Sequence, residues 1–263
     1  MLSDKTALIT GASGGIGLEI SKLLAADKCN LVLVARNVQK LDELSNELKD
    51  KYSINVITIP KDLSIPSAPK EIFDFISQKE ITIDFLINNA GYGGVGAFHE
   101  SDLDTELNMM QVNMNALMVL TKLFLPGMVQ RKFGKIMNVA STAAFLPGPF
   151  MTIYYATKAF VLSFSEALSA ELKRTGVTVT ALCPGPTETG FQERSSVGKT
   201  KLLKFQKMHN AEYIAKKGYR AMMNGKRIEI PGVSNKLLLP LIRFSPRSSV
   251  LSVIRWLQQV RIK

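Results

Sequence analysis

The chain is poor in the residues that would assign it to several functional classes at once. It has two cysteines, Cys29 and Cys183, in unrelated contexts. That leaves no disulfide framework and suits a reducing compartment. Its two histidines, His99 and His209, have no ligand-spaced neighbours, so no metal site is expected. No run approaches 18 apolar residues without charge, so no bilayer-spanning segment is expected. The opening Met1-Leu2-Ser3-Asp4-Lys5 lacks a basic stretch leading into an apolar one, which predicts no export signal and a cytoplasmic protein. Repeats, low-complexity tracts and linkers are also missing. Acids are scarce in one place. From Arg194 to Lys263, sixteen Lys and Arg stand against Glu212 and Glu229, while the rest of the chain is slightly acidic. The formal charge of +11 therefore sits in the C-terminal quarter and points to an anionic partner for that region: cofactor phosphate, acidic substrate, lipid headgroup or nucleic acid.

What is present is a globular composition, 46% apolar and 21% charged over 263 residues, enough for one large domain with a full core. Short β-rich runs (Lys5–Thr10, Asn30–Ala35, Asn55–Ile59, Asp84–Asn88, Lys135–Ala140, Val177–Cys183 and Arg227–Ile230) alternate with helical patterns. The helical patterns are Ile16–Asp27, Val38–Lys51, Pro66–Lys79, Asp104–Arg131 and Thr152–Thr175, followed by a helix capped by Asn210 and ending at Met223. Leu31-Val32-Leu33-Val34 and Phe85-Leu86-Ile87 are continuously apolar, as strands buried on both faces are. The alternation predicts an α/β fold, a doubly wound parallel sheet of about seven strands with helices on both faces. Residues 1–232 form this domain, and 233–263 a basic helical extension packed on or beside it.

Three groups of residues suggest chemistry. Thr10-Gly11-Ala12-Ser13-Gly14-Gly15-Ile16-Gly17 closes the first strand and opens the first helix. Its glycines permit a tight turn and close approach to a phosphate at a helix N-terminus. The second strand ends Ala35-Arg36, where a ribose-binding acid would otherwise stand. A guanidinium suits a 2′-phosphate, with Ser13 adding a hydroxyl, so NADP(H) is favoured over NAD(H). The alternative is a solvated arginine at a strand end. Finally, Ser141 follows a strand directly, and Tyr154 and Lys158 lie one helical turn apart. A neighbouring ammonium lowers a phenol's pKa and makes it a usable proton donor. Ordinary surface residues have the same spacing, so this pair alone decides nothing. Asn113, between Val112 and Met114, is a poor helix former in an apolar setting. It either holds a water or is a satisfied core amide. Cys183 reads as a small buried residue, and Tyr155 as packing.

With Asp62-Leu63, Asn88-Asn89-Ala90-Gly91 and Pro184-Gly185-Pro186-Thr187-Glu188-Thr189 added, the chain from about Lys5 to Gly232 resembles the short-chain dehydrogenases/reductases, and among them the NADP(H)-preferring bacterial oxidoreductases. The resemblance implies a Rossmann-type domain and a role for each matching position. Gly11, Gly15, Ile16 and Gly17 would hold the pyrophosphate, Asp62 and Leu63 the adenine, and Asn89, Ala90 and Gly91 the cofactor's flank. Asn113 would interrupt its helix and place a water. Ser141 would bind the substrate oxygen, Tyr154 would act as acid/base, and Lys158 would hold the nicotinamide ribose. Pro184, Gly185, Thr187 and Thr189 would lie against the nicotinamide end. A homodimer or homotetramer is implied as well.

The expected reaction is carbonyl–alcohol interconversion on an apolar substrate: a ketoacyl group, a steroid-like ketone, or an aliphatic or aromatic ketone. Substrate contacts are expected from Phe191–Met208, with Lys199, Lys201, Lys204 and Lys207 either attracting an acid or simply solvated. Further contacts are expected from the loops Tyr92–Phe98 and Phe145–Met151, including Phe145, Leu146, Pro147, Phe150 and Met151. In Ser248–Lys263 an apolar stripe (Val250, Val253, Ile254, Trp256, Leu257, Val260) runs beside Arg247, Arg255 and Arg261. Such a helix covers the substrate pocket, a subunit interface or an anionic membrane surface. A non-catalytic NADP(H)-sensing regulator is the rival reading. Nucleic-acid binding is not expected, because no recognition motif accompanies the basic region.

Overall fold

The computed structural model describes residues 2–189, 208–243 and 245–258; nothing is described of the side chains of Pro240, Leu241 and Arg243. Seven strands form one parallel sheet in the order β3-β2-β1-β4-β5-β6-β9. They are β1 (Thr6–Thr10), β2 (Asn30–Ala35), β3 (Val56–Pro60), β4 (Phe85–Asn88), β5 (Gly134–Val139), β6 (Val177–Leu182) and β9 (Ile228–Glu229). A separate parallel pair joins β7 (Thr187–Glu188) to β8 (His209–Asn210). The expected doubly wound α/β sheet is therefore present, with strands displaced by a residue or two at their ends. Pro60 ends β3 at the sheet edge, where a missing N–H costs no ladder bond.

Alternation along the strands builds the two core layers. Ala7 and Ile9 of β1 face α1 (Gly15–Ala26), α2 (Val38–Tyr52) and α7 (Ala211–Met223). Leu8 points to the opposite layer, against α3 (Ala68–Gln78) and α5 (Ala116–Gln130). A third cluster joins Val161 and Leu162 of α6 (Thr152–Glu171) to Ala140, Ala181 and Cys183. Local signals set the helix ends. Asn37 caps α2 through the Lys40 amide at 2.9 Å, and Asn210 caps α7 through the Tyr213 amide at 2.8 Å.

The long helix expected over Asp104–Arg131 is interrupted. Helix α4 (Leu103–Met110) passes into a π-helical turn, Gln111–Asn115, before α5 begins. The whole stretch Leu103–Gln130 is long and apolar enough to cross a bilayer, at mean hydropathy 1.4. Within it, the fifteen positions Leu107–Thr121 carry no charge but include Asn108, Gln111, Asn113 and Asn115. Yet Leu117, Leu120, Phe124 and Met128 of α5 are buried in the core.

The extension is a pair of helices: α8 (Val233–Arg243) and α9 (Arg247–Gln258). Only the second was expected.

Candidate active site

The strand order reverses between β1 and β4, the place where open parallel sheets bind ligands beyond their carboxyl ends. Gly11 follows β1 with φ of +68°, and a Cβ there would stand 2.7 Å from Asn89 Nδ2 and 3.0 Å from Ala90 Cα. Only glycine fits both demands. Asn89, following β4, ties the two strand ends together. Its side-chain amide donates to the Thr10 and Gly11 carbonyls at 2.9 and 3.2 Å, and its backbone N–H donates to Thr10 Oγ1 at 3.0 Å. Gly17 packs directly on Gly11, where a Cβ would lie 2.5 Å from the Gly11 carbonyl oxygen. No side chain caps α1 and its first turn holds no acid. Its first N–H groups and its dipole are thus left to an anion.

These residues line one end of a cavity of about 1160 Å³. Ser13, Arg36, Asn37 and Lys40 form the wall beside the glycine turn. Arg36 is 64% exposed, its guanidinium 3.8 Å from the Asp62 carboxylate, and Lys40 and Lys61 line the same end. Leu63, Ala90, Gly91, Pro184, Gly185, Thr187 and Thr189 also border the cavity. Gly17 and Asn113 do not.

At the other end, Ser141 leaves β5 and caps a short 3-10 turn by accepting the Ala143 N–H at 3.1 Å. Its hydroxyl also bonds the phenol of Tyr154. Lys158, 5% exposed, donates to the Val139 carbonyl at 2.8 Å and stands 5.9 Å from the centre of the Tyr154 ring. The three side chains expected to act together are therefore brought together. The expected pKa pattern is not found. Burial pushes the Tyr154 phenol up to about 12, against a smaller lowering by Ser141. Burial also pulls Lys158 down to about 8, against the raising influence of Cys183. Burial is the leading cause for both groups, and a lysine that loses its proton near 8 carries no charge over the range in which the phenol titrates.

Asn113 is a satisfied amide. It lies in the π turn, 1% exposed, donates to the Tyr92 carbonyl at 2.9 Å and Thr157 Oγ1 at 3.1 Å, and accepts the Tyr92 N–H at 3.1 Å. Thr157 in turn donates to the Tyr154 carbonyl at 2.7 Å. Asn113 thus fixes the backbone of the tyrosine's helix. Gly91 lets this occur: a Cβ there would lie 3.0 Å from Asn113 Oδ1 and 3.3 Å from Lys158 Nζ.

The family model described as short chain dehydrogenase matches residues 5–199. The chain belongs to this family. It is 39% identical over 183 residues to the very-long-chain 3-oxoacyl-CoA reductase of Mus musculus, a match covering 68% of this chain and 58% of that protein. The chain thus spans less than two thirds of the length of that relative. It is 32% identical over 259 residues to the ketoacyl reductase HetN of Nostoc sp., covering 97% and 90% of the two chains. Among solved structures, a short-chain dehydrogenase from Sphingobium yanoikuyae in complex with NADPH superposes with TM-score 0.83 at 29% identity, over 98% of this chain and 100% of that one. A bulky-bulky ketone specific alcohol dehydrogenase from Comamonas testosteroni superposes with TM-score 0.79 at 29% identity, over 95% of each.

In this short-chain dehydrogenase the donor set at the adenosine end fits a nicotinamide dinucleotide: an uncapped helix N-terminus, a glycine cradle that excludes a Cβ, and a cation with a hydroxyl beside it. Cys183 is a small buried residue, its thiol raised to about 12 by burial. Tyr155 is 6% exposed and packs edge-on to Tyr154 with ring centres 6.0 Å apart, while also bordering the cavity. The substrate end differs from expectation. Leu146, Met151 and Tyr92 line the cavity, but Phe145, Pro147 and Phe150 do not. Phe145 packs instead on the α6 cluster. The expected contacts at 191–207 lie outside the described residues, as do Val260 and Arg261.

The remaining wall comes from α8 and α9, through Leu238, Leu239, Ile242, Val250, Val253, Ile254 and Leu257. Reading the sequence found the α9 stripe but not that of α8. The signal was Leu237-Leu238-Leu239 at helical distance from Ile242, obscured by Pro240. Asn37 and Lys40 were also missed, although they lie one and four residues past Arg36.

Proposed function

We propose that this protein is an NADP(H)-dependent oxidoreductase that interconverts an apolar ketone and its secondary alcohol. The convergence of Ser141, Tyr154 and Lys158 on one cavity, with the glycine turn and Arg36 at its other end, carries this reading. Names of relatives agree on the class: a 3-oxoacyl-CoA reductase, a ketoacyl reductase and a ketone-specific alcohol dehydrogenase. Gly11, Gly15 and the α1 N-terminus would hold the pyrophosphate, and Ser13, Arg36 and Lys40 the 2′-phosphate. Lys158 has two N–H donors beyond its bond to Val139 for the nicotinamide ribose. Reduced nicotinamide, when bound, supplies the hydride.

The chain's own residues manage charge on the oxygen. Ser141 and Tyr154 would both donate hydrogen bonds to the carbonyl, and these strengthen as the oxygen gains negative charge. Donors so placed are worth about 2.7–4 kcal/mol each in enzymes with comparable oxyanion sites. Tyr154 then passes its proton to the alkoxide. A phenol held at about 12 keeps that proton at neutral pH until a stronger base, the forming alkoxide, takes it. Tyr154→Phe is expected to lower carbonyl-dependent NADPH oxidation by at least a thousandfold and to leave NADPH affinity, read by fluorescence titration, within about threefold. Retained turnover in that variant refutes the assignment. Absence of turnover in the parent across a panel of ketones, with NADPH binding intact, would favour a cofactor-sensing protein.

A homodimer or homotetramer belongs to the same proposal. Leu103, Leu107 and Met118 on α4 and α5 are exposed apolar residues available to such an interface.

A further inference from the structure

Exposed large apolar side chains gather on the last two helices. Val233 and Leu237, one turn apart on α8, are 74% and 66% exposed, and Trp256 on α9 is 49% exposed. Leu238 and Val253 line the active-site cavity yet remain 50% and 56% exposed, so they stand at its mouth. Residues 233–263 contain six Lys and Arg and not one Asp or Glu. Arg247 and Arg255 are exposed on α9, and Lys236 on α8. Lys236 is paired with Glu229 at 3.4 Å, which leaves Arg247 and Arg255 as the exposed cations of this surface. A surface that pairs apolar side chains and a tryptophan with such positive charge matches an anionic bilayer interface. A subunit interface would ordinarily leave fewer like charges at its centre.

We infer that α8 and α9 dock this protein on an anionic lipid surface, with the mouth of the cavity turned toward the acyl chains. The same two helices wall the cavity, so a lipophilic substrate would pass between Leu238 and Val253 without crossing water. This route rests on the function proposed above; the docking does not.

Vesicle co-sedimentation of the full chain tests it, using phosphatidylcholine with phosphatidylglycerol against phosphatidylcholine alone. Trp256 is the sole tryptophan and serves as reporter. Binding to the anionic vesicles is expected, with a blue shift of Trp256 emission and quenching by brominated acyl chains. Replacing Arg247 and Arg255 together by Gln is expected to weaken binding about 25-fold, roughly fivefold per charge. Val233→Ser with Leu237→Ser, neither lining the cavity, is expected to weaken it at least tenfold while turnover of a water-soluble ketone stays unchanged. No sedimentation with anionic vesicles at low salt overturns the inference. So does full binding by the Val233/Leu237 variant. A self-association that this variant abolishes, without any vesicle binding, would assign the face to a second copy instead. Vesicle binding is read without turnover, so failure to bind lipid leaves the reductase reading standing, and failure to turn over ketones leaves the lipid result standing.

Discussion

Lys158 sits where a charge is costly. Its native pKa of about 8 lies below the 10.5 of an ordinary lysine, with burial as the leading cause. Between these values the unfolded chain binds a proton that the native chain does not, so stability rises with pH through that window. Below pH 8 the full penalty applies, of order 3 kcal/mol by the shift alone. Lys158→Met should therefore raise stability at pH 7 by about 1–2 kcal/mol, after the lost bond to the Val139 carbonyl is subtracted, and abolish turnover. The gain should shrink as pH approaches 10. Urea melts of both proteins at several pH values check this, and a difference that does not vary with pH would refute it. Arg36 is tested separately. Its exposed guanidinium lines the cavity, and on the proposed NADP(H) reading Arg36→Ala should raise KM for NADPH by about 10–100-fold, the worth of a charged hydrogen bond, and leave KM for NADH nearly unchanged. An equal rise for both cofactors would assign Arg36 to the adenine instead.

Between elements, the joint of α9 with α6 has the least local cause. Gln258 is fully buried, donates to Tyr155 Oη at 2.5 Å, and leaves its own Oε1 without a partner. Gly148 packs on the same ring, where a Cβ would lie 2.2 Å from it. Removing one partner strands the other, whereas removing both leaves an apolar contact. Gln258→Leu and Tyr155→Phe should each cost about 1–3 kcal/mol, and the double variant less than the sum. Additive costs in denaturant melts would show the bond contributes nothing. This joint also marks how far the sequence could be read. The glycine turn was legible because Gly11 answers a backbone demand visible in one stretch of chain, and the Ser141, Tyr154 and Lys158 pattern because helix spacing fixes their order. Gln258 and Tyr155 are 103 positions apart, and no periodicity announces such a contact. The rise of the Tyr154 pKa was hidden for the same reason, since burial is set by elements remote in sequence. The interruption at Asn113 could be foreseen as a poor helix residue, but its π turn depends on Tyr92 and Thr157 from other elements.

At the scale of the molecule, one cavity joins two unlike ends. The glycine-turn end is walled by Ser13, Arg36 and Lys40, while the far end is mostly Leu, Ile, Val and Met from α8, α9 and the loop holding Leu146 and Met151. A polar small ketone would leave that far wall wet and use none of its apolar surface. A growing alkyl chain covers the wall progressively, at about 0.8 kcal/mol per methylene when burial is complete. Along a series of methyl alkyl ketones, kcat/KM with NADPH should therefore climb by up to about fourfold per methylene, then level off once the chain reaches the mouth at Leu238 and Val253. Because those added contacts do not touch the reacting carbon, the gain should appear mainly in KM, with kcat nearly constant until release of a long product becomes slow. Leu239→Asn, which places an amide in the buried wall of α8, should flatten the series without lowering turnover of the shortest ketone. A parent enzyme whose kcat/KM is flat from the shortest ketone to the longest would mean that the α8–α9 wall does not contact substrate.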